Sequence, residues 1–410
     1  MRVVMVSDVS PLHIEGGGER VLWEQASRLA GRGHQVRILS RAPAGPVPAP
    51  TERQGVSIYH FPVSHLTSPG FFVASIIGAR RALAAMLAEG RADVLHLYQP
   101  LSGFGVSGLC RSRGLPMLYT FLSPAPLEYA SRVGMTGHHR AGAFGRLIRT
   151  LYQRLERTVL ERADRIHVLS DFSASQLQDL YKITDSRVVK IPGAVDADRF
   201  SPALDRLQVR NDLGYPARRP LLLTVRNLEA RMGLDTLIRA MALLRRQIPD
   251  VLLLIGGTGA LCAPLAALVG TLDLGEHVRF LGYIPDTTLP RYYQAADAFV
   301  LPTRELEGFG LITVEALACG TPVLGTLVGA TPEILTPLDA SWLFPEATPE
   351  GMASRLTEFL TELARDPAMA GRLQRRCREF VMARYRWDLC IPRLEALLTD
   401  LAKPKPAGTA

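Results

Sequence analysis

Two acids eight positions apart, Glu307 and Glu315, bracket the turn Gly308-Phe309-Gly310 in the stretch ELEGFGLITVEALACGTPVLGT. Gly308 and Gly310 remove side chains where something must come close to the backbone. A helix starting near Leu311 leaves its first amides unpaired, and its dipole favours an anion there. The amides of Gly310, Leu311 and Ile312 thus make a cradle for a diphosphate. Glu315 lies about one turn up and leans back toward the helix start. It would repel a phosphate, but it suits the vicinal hydroxyls of a ribose as a double acceptor. Glu307, on the loop side, reaches a different set of hydroxyls, those of a sugar. Two acids holding two sugars on either side of a diphosphate describe a nucleotide-sugar. Taken singly, each acid has a plainer reading, Glu307 as a solvated loop acid and Glu315 as the exposed face of a helix.

Other residues ask for the same ligand. In TVRNLEARMG, Arg226 directly follows an apolar run and Arg231 comes five residues later. Arginine stays charged and binds oxygens bidentately, so the pair suits a diphosphate leaving group, with two solvated surface arginines as the alternative. IEGGGERV places Gly16, Gly17 and Gly18 between a strand and a helix, where an acceptor and a donor phosphate can approach. The full G-x-G-x-x-G pattern is missing, which argues against a redox dinucleotide, and no cofactor is expected. Asp196-Ala197-Asp198 is a D-x-D string, but it precedes an expected short helix and reads as capping and hinge chemistry, with no metal site expected.

These residues need strand–turn–helix–strand units to position them, and the chain supplies the pattern twice. RVVMVS (residues 2 to 7), a glycine turn, an amphipathic helix and QVRILS form the first unit. LLLTV (221 to 225), RNLEARMG, LDTLIRAMALLRRQIPD and VLLLIGG form the second. Continuous apolar strands mean parallel βαβ units buried on both faces, and right-handed crossovers then give doubly wound α/β sheets. The expected domains are 1–195 on the acceptor side and 196–383 on the nucleotide side, facing across a cleft, with the break in IPGAVDADRFSP. A crossover segment, 384–402, contains a final helix from about Asp388 to Leu401 that returns to the first domain, and 403–410 should be a disordered tail. RAPAGPVPAPTERQG reads as a Pro-rich surface loop.

The 410 residues exceed one comfortable core, and 47% hydrophobic with 21% charged residues is ordinary for an enzyme. A net charge of +8 favours anionic partners: phosphorylated ligands, membrane surfaces or nucleic acid. Five scattered cysteines without ligand spacing suggest reduced thiols and a cytoplasmic setting. No signal peptide is expected at MRVVMVSDVS, and no apolar run is expected to reach the length of about 20 residues that spans a bilayer. The arginine-rich stretch at 138 to 165 has helical periodicity. Phe144, Leu147, Ile148, Leu151, Leu155 and Val159 share one face, with Arg146, Arg149 and Arg157 off it. Its apolar face either packs on its own sheet, or rests on anionic lipid at the inner face of a membrane and delivers a lipid-linked acceptor. No basic–aromatic interleaving supports nucleic acid.

EGFGLITVEALACGTPVLGT is similar to the E-x(7)-E signature of family 4 retaining glycosyltransferases of the GT-B fold (glycosyl transferases group 1). IPGAVDADRFSP, VRFLGYIP with YYQAADAFVLPT, and MARYRWD resemble further family motifs, so the likeness spans nearly the whole chain. The resemblance implies that Glu307 contacts the donor sugar, Glu315 the ribose, and the backbone near Tyr283 and Ile284 the base. It also implies transfer of a sugar, a hexose by expectation, from UDP or GDP to a hydroxyl acceptor such as a glycolipid, polysaccharide or small metabolite, with retention and without a metal ion. Two positions depart from the family pattern. Met232 stands where many relatives carry Lys, with Arg231 beside it. Leu122, in LYTFLSPAPLEY, stands where a histidine usually touches the donor sugar, and Ser123 offers a hydroxyl next to it. A nucleotide-sugar epimerase and a non-catalytic nucleotide-sugar-binding subunit remain as alternatives on the same fold.

Overall fold

Apolar runs without alternation belong to strands covered on both faces, and the chain uses such runs to build two separate sheets. The computed structural model describes residues 1–12, 16–43, 47–63, 70–132, 143–184, 186–366 and 368–403, the side chains of Arg132, Ala143 and Phe144 excepted. The described residues divide into two units. The first falls within Met1–Ala130, Arg140–Pro192 and Asp388–Ala410, and the second within Ser131–His139 and Gly193–Trp387. Breaks fall at Pro192/Gly193 and Trp387/Asp388. Residues 404–410, expected as a tail, lie outside the described residues.

The first unit holds β1 (Arg2–Ser7), β2 (Gln35–Arg41), β3 (Thr51–Arg53), β4 (Val56–Phe61), β5 (Val94–Leu97), β6 (Met117–Phe121), β7 (Arg165–Val168) and β8 (Val188–Lys190). Their order across the sheet is β3-β4-β2-β1-β5-β6-β7-β8, parallel except for β3 against β4. β3 corrects the reading of a loop from 41 to 55, because Thr51–Arg53 pairs antiparallel with β4 at the sheet edge. Val3 to Val6 in β1 are 0% exposed, which explains why their run shows no polar alternation. Three polar side chains of this core form a ladder: His96 Nε2 meets Thr120 Oγ1 at 2.6 Å, and Thr120 Oγ1 meets His167 Nδ1 at 2.9 Å. Burial lowers both imidazoles, His167 to about 4, so the ladder is uncharged near neutrality. The final helix, Trp387–Ala402, buries Ile391, Leu394 and Leu398, and Glu395 accepts from Arg32 Nε and meets His34 Nε2, each at 2.7 Å.

The helix Gly70–Glu89 corrects one expectation. It is long and apolar enough, by composition, to cross a membrane. Its Phe71, Ser75, Ala79, Leu83 and Met86 are buried instead, so one face serves the unit's core while Arg80 and Arg81 interrupt the other.

The second unit holds β9 (Leu221–Val225), β10 (Leu252–Gly256), β11 (Val278–Gly282), β12 (Ala298–Leu301) and β13 (Val323–Gly325), ordered β11-β10-β9-β12-β13 and all parallel. Four cysteines, Cys110, Cys319, Cys377 and Cys390, are buried thiols, and Cys262 is exposed. The helix Arg206–Asp212 is fastened to the sheet by one carboxylate. Asp297 accepts from Arg206 Nη2 at 2.6 Å, Arg210 Nη2 at 2.7 Å and the Leu221 amide at 2.7 Å. Burial alone would push Asp297 up, but Arg206 and Arg210 outweigh it and hold the carboxyl below its ordinary range. Burial also lowers the Arg210 guanidinium, so desolvation offsets part of what the pair contributes.

Removing one partner of such a buried pair strands the other charge. Asp297→Asn should lower the free energy of unfolding at neutral pH by about 3–5 kcal/mol, read by urea denaturation. The folded pKa is depressed, so the pair's contribution is complete above the unfolded value of about 3.9 and fades as pH falls through the lower folded value. The gap between wild type and variant should therefore close only in the acid range. Equal stabilities at neutral pH would refute this account.

Candidate functional site

Ligands of open parallel sheets bind where the strand order reverses, outside the carboxyl ends. In the second unit β10 lies on one side of β9 and β12 on the other, so the reversal is at β9 and β12. Arg226 directly follows β9, and Thr303 stands two residues past β12. Arg226 is 7% exposed and Glu307 9% exposed, and Arg226 Nη2 meets Glu307 Oε2 at 2.8 Å. Thr303 Oγ1 accepts from Arg226 Nη1 at 2.9 Å and donates to Glu307 Oε2 at 3.1 Å. The sulfur of Met232 lies 2.7 Å from Arg226 Nη2. Met232 therefore packs on the guanidinium. The plainer reading of Glu307 as a solvated loop acid is corrected: its charge is buried against an arginine.

Backbone geometry brings the loop to this point. Leu306 has φ 58°, in the left-handed region that non-glycine residues seldom adopt, and it presents Glu307 to β9. Gly329, at φ +64°, lets a neighbouring turn approach, since a Cβ there would sit 2.2 Å from the Glu307 carbonyl oxygen. That oxygen accepts from the Ala330 amide at 2.9 Å. Arg231 is half-buried and grips the same loop: its Nη1 donates to Leu306 O at 3.1 Å and its Nε to Glu229 at 3.3 Å. Its carbonyl accepts from the Arg304 amide at 2.8 Å.

The helix that follows is Leu311–Ala318, with Gly310 as its N-cap at φ 84°. The Thr313 amide donates to Gly310 O at 2.9 Å. Leu311 is buried and Ile312 and Gly308 half-buried. Phe309 is a packing residue by its side chain: its ring is 6% exposed and lies edge-on to Tyr385 at 5.7 Å. Glu315 is 2% exposed and accepts from the Tyr293 hydroxyl at 3.2 Å, which corrects the reading of an exposed helical face. Past β11, Tyr283 is 60% exposed while Ile284 is buried against Gly256, where a Cβ would meet Ile284 Cδ1 at 2.5 Å.

The first unit reverses its strand order at β1, which has β2 on one side and β5 on the other. Gly16 is the N-cap of the helix Gly17–Gly31. A Cβ on Gly18 would stand 3.4 Å from Leu122 Cδ1 and 3.8 Å from Gln99 Nε2, so the glycine turn, the end of β6 and the end of β5 come together. Ile14 and Glu15 of the same motif lie outside the described residues. Gln99 Oε1 accepts from Ser7 Oγ at 2.8 Å and the Asp8 amide at 2.9 Å. The Ser123 hydroxyl donates to Glu128, so its proton is committed. Behind this corner Glu156 accepts from Tyr119 Oη at 3.0 Å, Tyr181 Oη at 2.5 Å and the Ala125 amide at 3.0 Å. Burial pushes its carboxyl up to about 7.

Asp196 Oδ1 accepts from the Asp198 and Arg199 amides, both at 3.2 Å, so this carboxylate caps a turn. The expected short helix is replaced by that turn, and the next helix, Arg206–Asp212, is capped by Asp205. Sequence reading missed Thr303, Tyr293 and Gln99. Thr303 and Gln99 follow strands beside the reversal points, and the strand order was the signal that would have found them.

Two family models cover most of the chain: Glycosyltransferase Family 4 at residues 15–199 and Glycosyl transferases group 1 at residues 205–379. A D-inositol 3-phosphate glycosyltransferase of Kineococcus radiotolerans is 32% identical over 410 residues, covering 92% of each chain. Sucrose-phosphate synthase from Thermosynechococcus elongatus aligns with TM-score 0.83 at 25% identity, covering 98% of this chain and 99% of that one. Anabaena Alr3699/HepE, solved with UDP and glucose, aligns with TM-score 0.75 at 16% identity over 97% and 99%. The chain belongs to the group 1 glycosyltransferases and is an enzyme of that family with the GT-B fold.

Proposed function

We propose that this glycosyltransferase moves a sugar from a nucleoside diphosphate to a hydroxyl acceptor with retention and without a metal ion. The buried Arg226–Glu307 pair beside the helix N-terminus at Leu311 carries the reading. Helix amides and arginine stabilise a departing diphosphate, work otherwise given to a cation. Glu307 orients the reacting sugar, Glu315 holds the ribose and the backbone at Tyr283 and Ile284 holds the base. The first unit takes the acceptor at Gly16, Gly17 and Gly18. A phosphorylated polyol is the acceptor class to test first, because the relative above is named for D-inositol 3-phosphate and the chain is basic by +8.

The test is transfer from a panel of UDP-, GDP- and ADP-sugars to inositol phosphate in EDTA, with the product anomer read by NMR. A 6-deoxy donor belongs in the panel, because Leu122 cannot donate a hydrogen bond and Ser123 already donates to Glu128. Retained configuration in the presence of chelator is expected. Inversion, an absolute need for Mg²⁺, or conversion of donor without acceptor would each overturn the reading.

Glu315→Ala should mainly raise KM and weaken free nucleoside diphosphate, because ribose is held alike in ground and transition states. Glu307→Ala should mainly lower kcat, and also lower stability by leaving the Arg226 charge buried without its carboxylate. Titration calorimetry and urea melts separate the two. Loss of nucleotide affinity that is larger for Glu307→Ala would reverse the assignment.

A peripheral lipid contact fits the first unit's surface. In Ala143–Arg162, Leu155 and Val159 are buried, but Leu147 is 63% and Leu151 36% exposed. Residues 138–142 and the Phe144 side chain lie outside the described residues. Arg157 is turned inward, donating to Leu180 O at 3.3 Å. In Gly70–Glu89, Val73 and Ile77 are 57% and 42% exposed. Phe72 and Tyr152, ring centroids 5.0 Å apart, join the two helices. Each exposed stripe runs on at helical spacing into arginine, Arg80 and Arg81 in one and Arg154 in the other. Apolar residues that end in basic ones suit an anionic bilayer surface. The protein should float with phosphatidylcholine vesicles containing phosphatidylglycerol and not with phosphatidylcholine alone, and Ile77→Ser with Leu147→Ser should abolish this. Equal flotation with both vesicle types, or none with either, would remove the lipid contact.

A further inference from the structure

Leu122 and Ser123 stand in the middle of a short segment that one buried carboxylate spans. Tyr119, in β6, comes three residues before Leu122, and Ala125, three residues after it, starts the helix Ala125–Arg132. Glu156 Oε1 accepts from the Tyr119 hydroxyl and Oε2 from the Ala125 amide, each at 3.0 Å. Each oxygen thus holds one end of the segment. Tyr181, at the end of the helix Asp171–Tyr181, also donates to Oε2, at 2.5 Å. Between the two ends Leu122 and Ser123 are half-buried, and Leu122 packs beside Gly18, its Cδ1 in van der Waals range of where a Cβ would stand. Glu156 itself is 0% exposed, so it acts on a ligand only through this segment.

The hydrogen bonds around Glu156 suit one protonation state. Its three partners all donate, and an ionised carboxylate accepts from all of them. A proton on Oε1 forces the Tyr119 hydroxyl to turn its own hydrogen away. A proton on Oε2 competes with the Ala125 amide, which can only donate. Either proton exchanges charge-assisted bonds for weaker neutral ones. Burial pushes the carboxyl up to about 7 and the nearby Glu128 adds to the push, while the three donors oppose it. Of the other charged groups here, Arg157 acts on Tyr181 and Asp8 on Tyr119. We propose that Glu156 is a positioning residue for sugar transfer: its ionised form clamps both ends of the segment 119–125 and so holds Leu122 in place beside the glycine turn. This deepens the reading of Gly16, Gly17 and Gly18 as the acceptor turn and rests on it.

The test is Glu156→Gln, of the same shape but with one accepting oxygen, alongside Tyr181→Phe, which leaves both ends of the segment bonded. Transfer is measured across a pH series, and hydrogen exchange of the peptide from 122 to 128 is compared at matched pH in the free proteins. Below about pH 6 wild type and Glu156→Gln should match, since both side chains are then neutral. Above about pH 8 the variant should show about tenfold lower kcat/KM, with unchanged calorimetric affinity for free UDP or GDP. Its peptide should exchange faster than wild type only in that upper range. Tyr181→Phe should move the wild-type inflection to higher pH, because it removes a bond that favours the ionised form, and it carries the test if Glu156→Gln does not fold. A kcat/KM ratio that is flat with pH, or an unmoved inflection in Tyr181→Phe, would make Glu156 a packing residue and overturn the proposal. A difference in exchange with equal kcat/KM would overturn it too. Wild type transferring no sugar would instead fail the functional reading, while the exchange profile still decides the clamp.

Discussion

A buried arginine and a buried glutamate, 2.8 Å apart at the strand reversal of the second sheet, set the terms for everything around them. Taking two charges out of water is expensive, and their attraction offsets the cost only when the remaining oxygens and N–H groups are also satisfied. Thr303 bonds to both members, and the Met232 sulfur covers an arginine nitrogen. The loop that carries the glutamate must then be held to sub-ångström tolerance. That requirement accounts for the left-handed Leu306, the glycine at 329 and the grip of Arg231 on the Leu306 carbonyl. Arg231 works on the loop that presents the acid, while Arg226 pairs with the acid itself.

The same constraint separates the two acids in kind. Glu307 is fixed by charge, and its orientation follows from a salt bridge. Glu315 is fixed by burial in a helix, and it accepts from the Tyr293 hydroxyl at 3.2 Å. A charged partner sets the direction of one, while a neutral hydroxyl donates to the other.

Much of this was legible before any coordinates. Unbroken apolar runs located β1 and β9 to the residue, because strands covered on both faces admit no polar alternation. The motif with two acids supplied the candidate site because its residues lie within a dozen positions. What failed to show was whatever depends on approach between distant segments. Thr303 and Gln99 look ordinary in sequence and become neighbours of the site only through strand order. The edge strand Thr51–Arg53 was hidden in proline-rich surroundings, and its pairing with β4 depends on the partner strand more than on its own residues. The Gly70–Glu89 helix was overlooked as a long apolar element; Phe71, Ser75, Ala79, Leu83 and Met86 face the core, and two arginines interrupt the rest. Glu307 and Glu315 were each open to a solvated reading until burial was known, since a carboxylate's surroundings are not written in its neighbours along the chain.

Glu156 has a consequence of a thermodynamic kind. Its carboxyl has no cation among its three hydrogen-bond partners, Tyr119, Tyr181 and the Ala125 amide, and burial raises it to about 7. In the unfolded chain the same group titrates near about 4.3. The folded state therefore binds more protons across that interval, and this one site favours folding less as pH rises from the lower value to the higher. Near neutrality part of the folded population holds a proton there that the unfolded chain has already surrendered. Unfolding near pH 7 releases a proton at this site, while the buried His96 and His167 take protons up, so the buffer's ionisation heat enters the measured heat with the balance of the two.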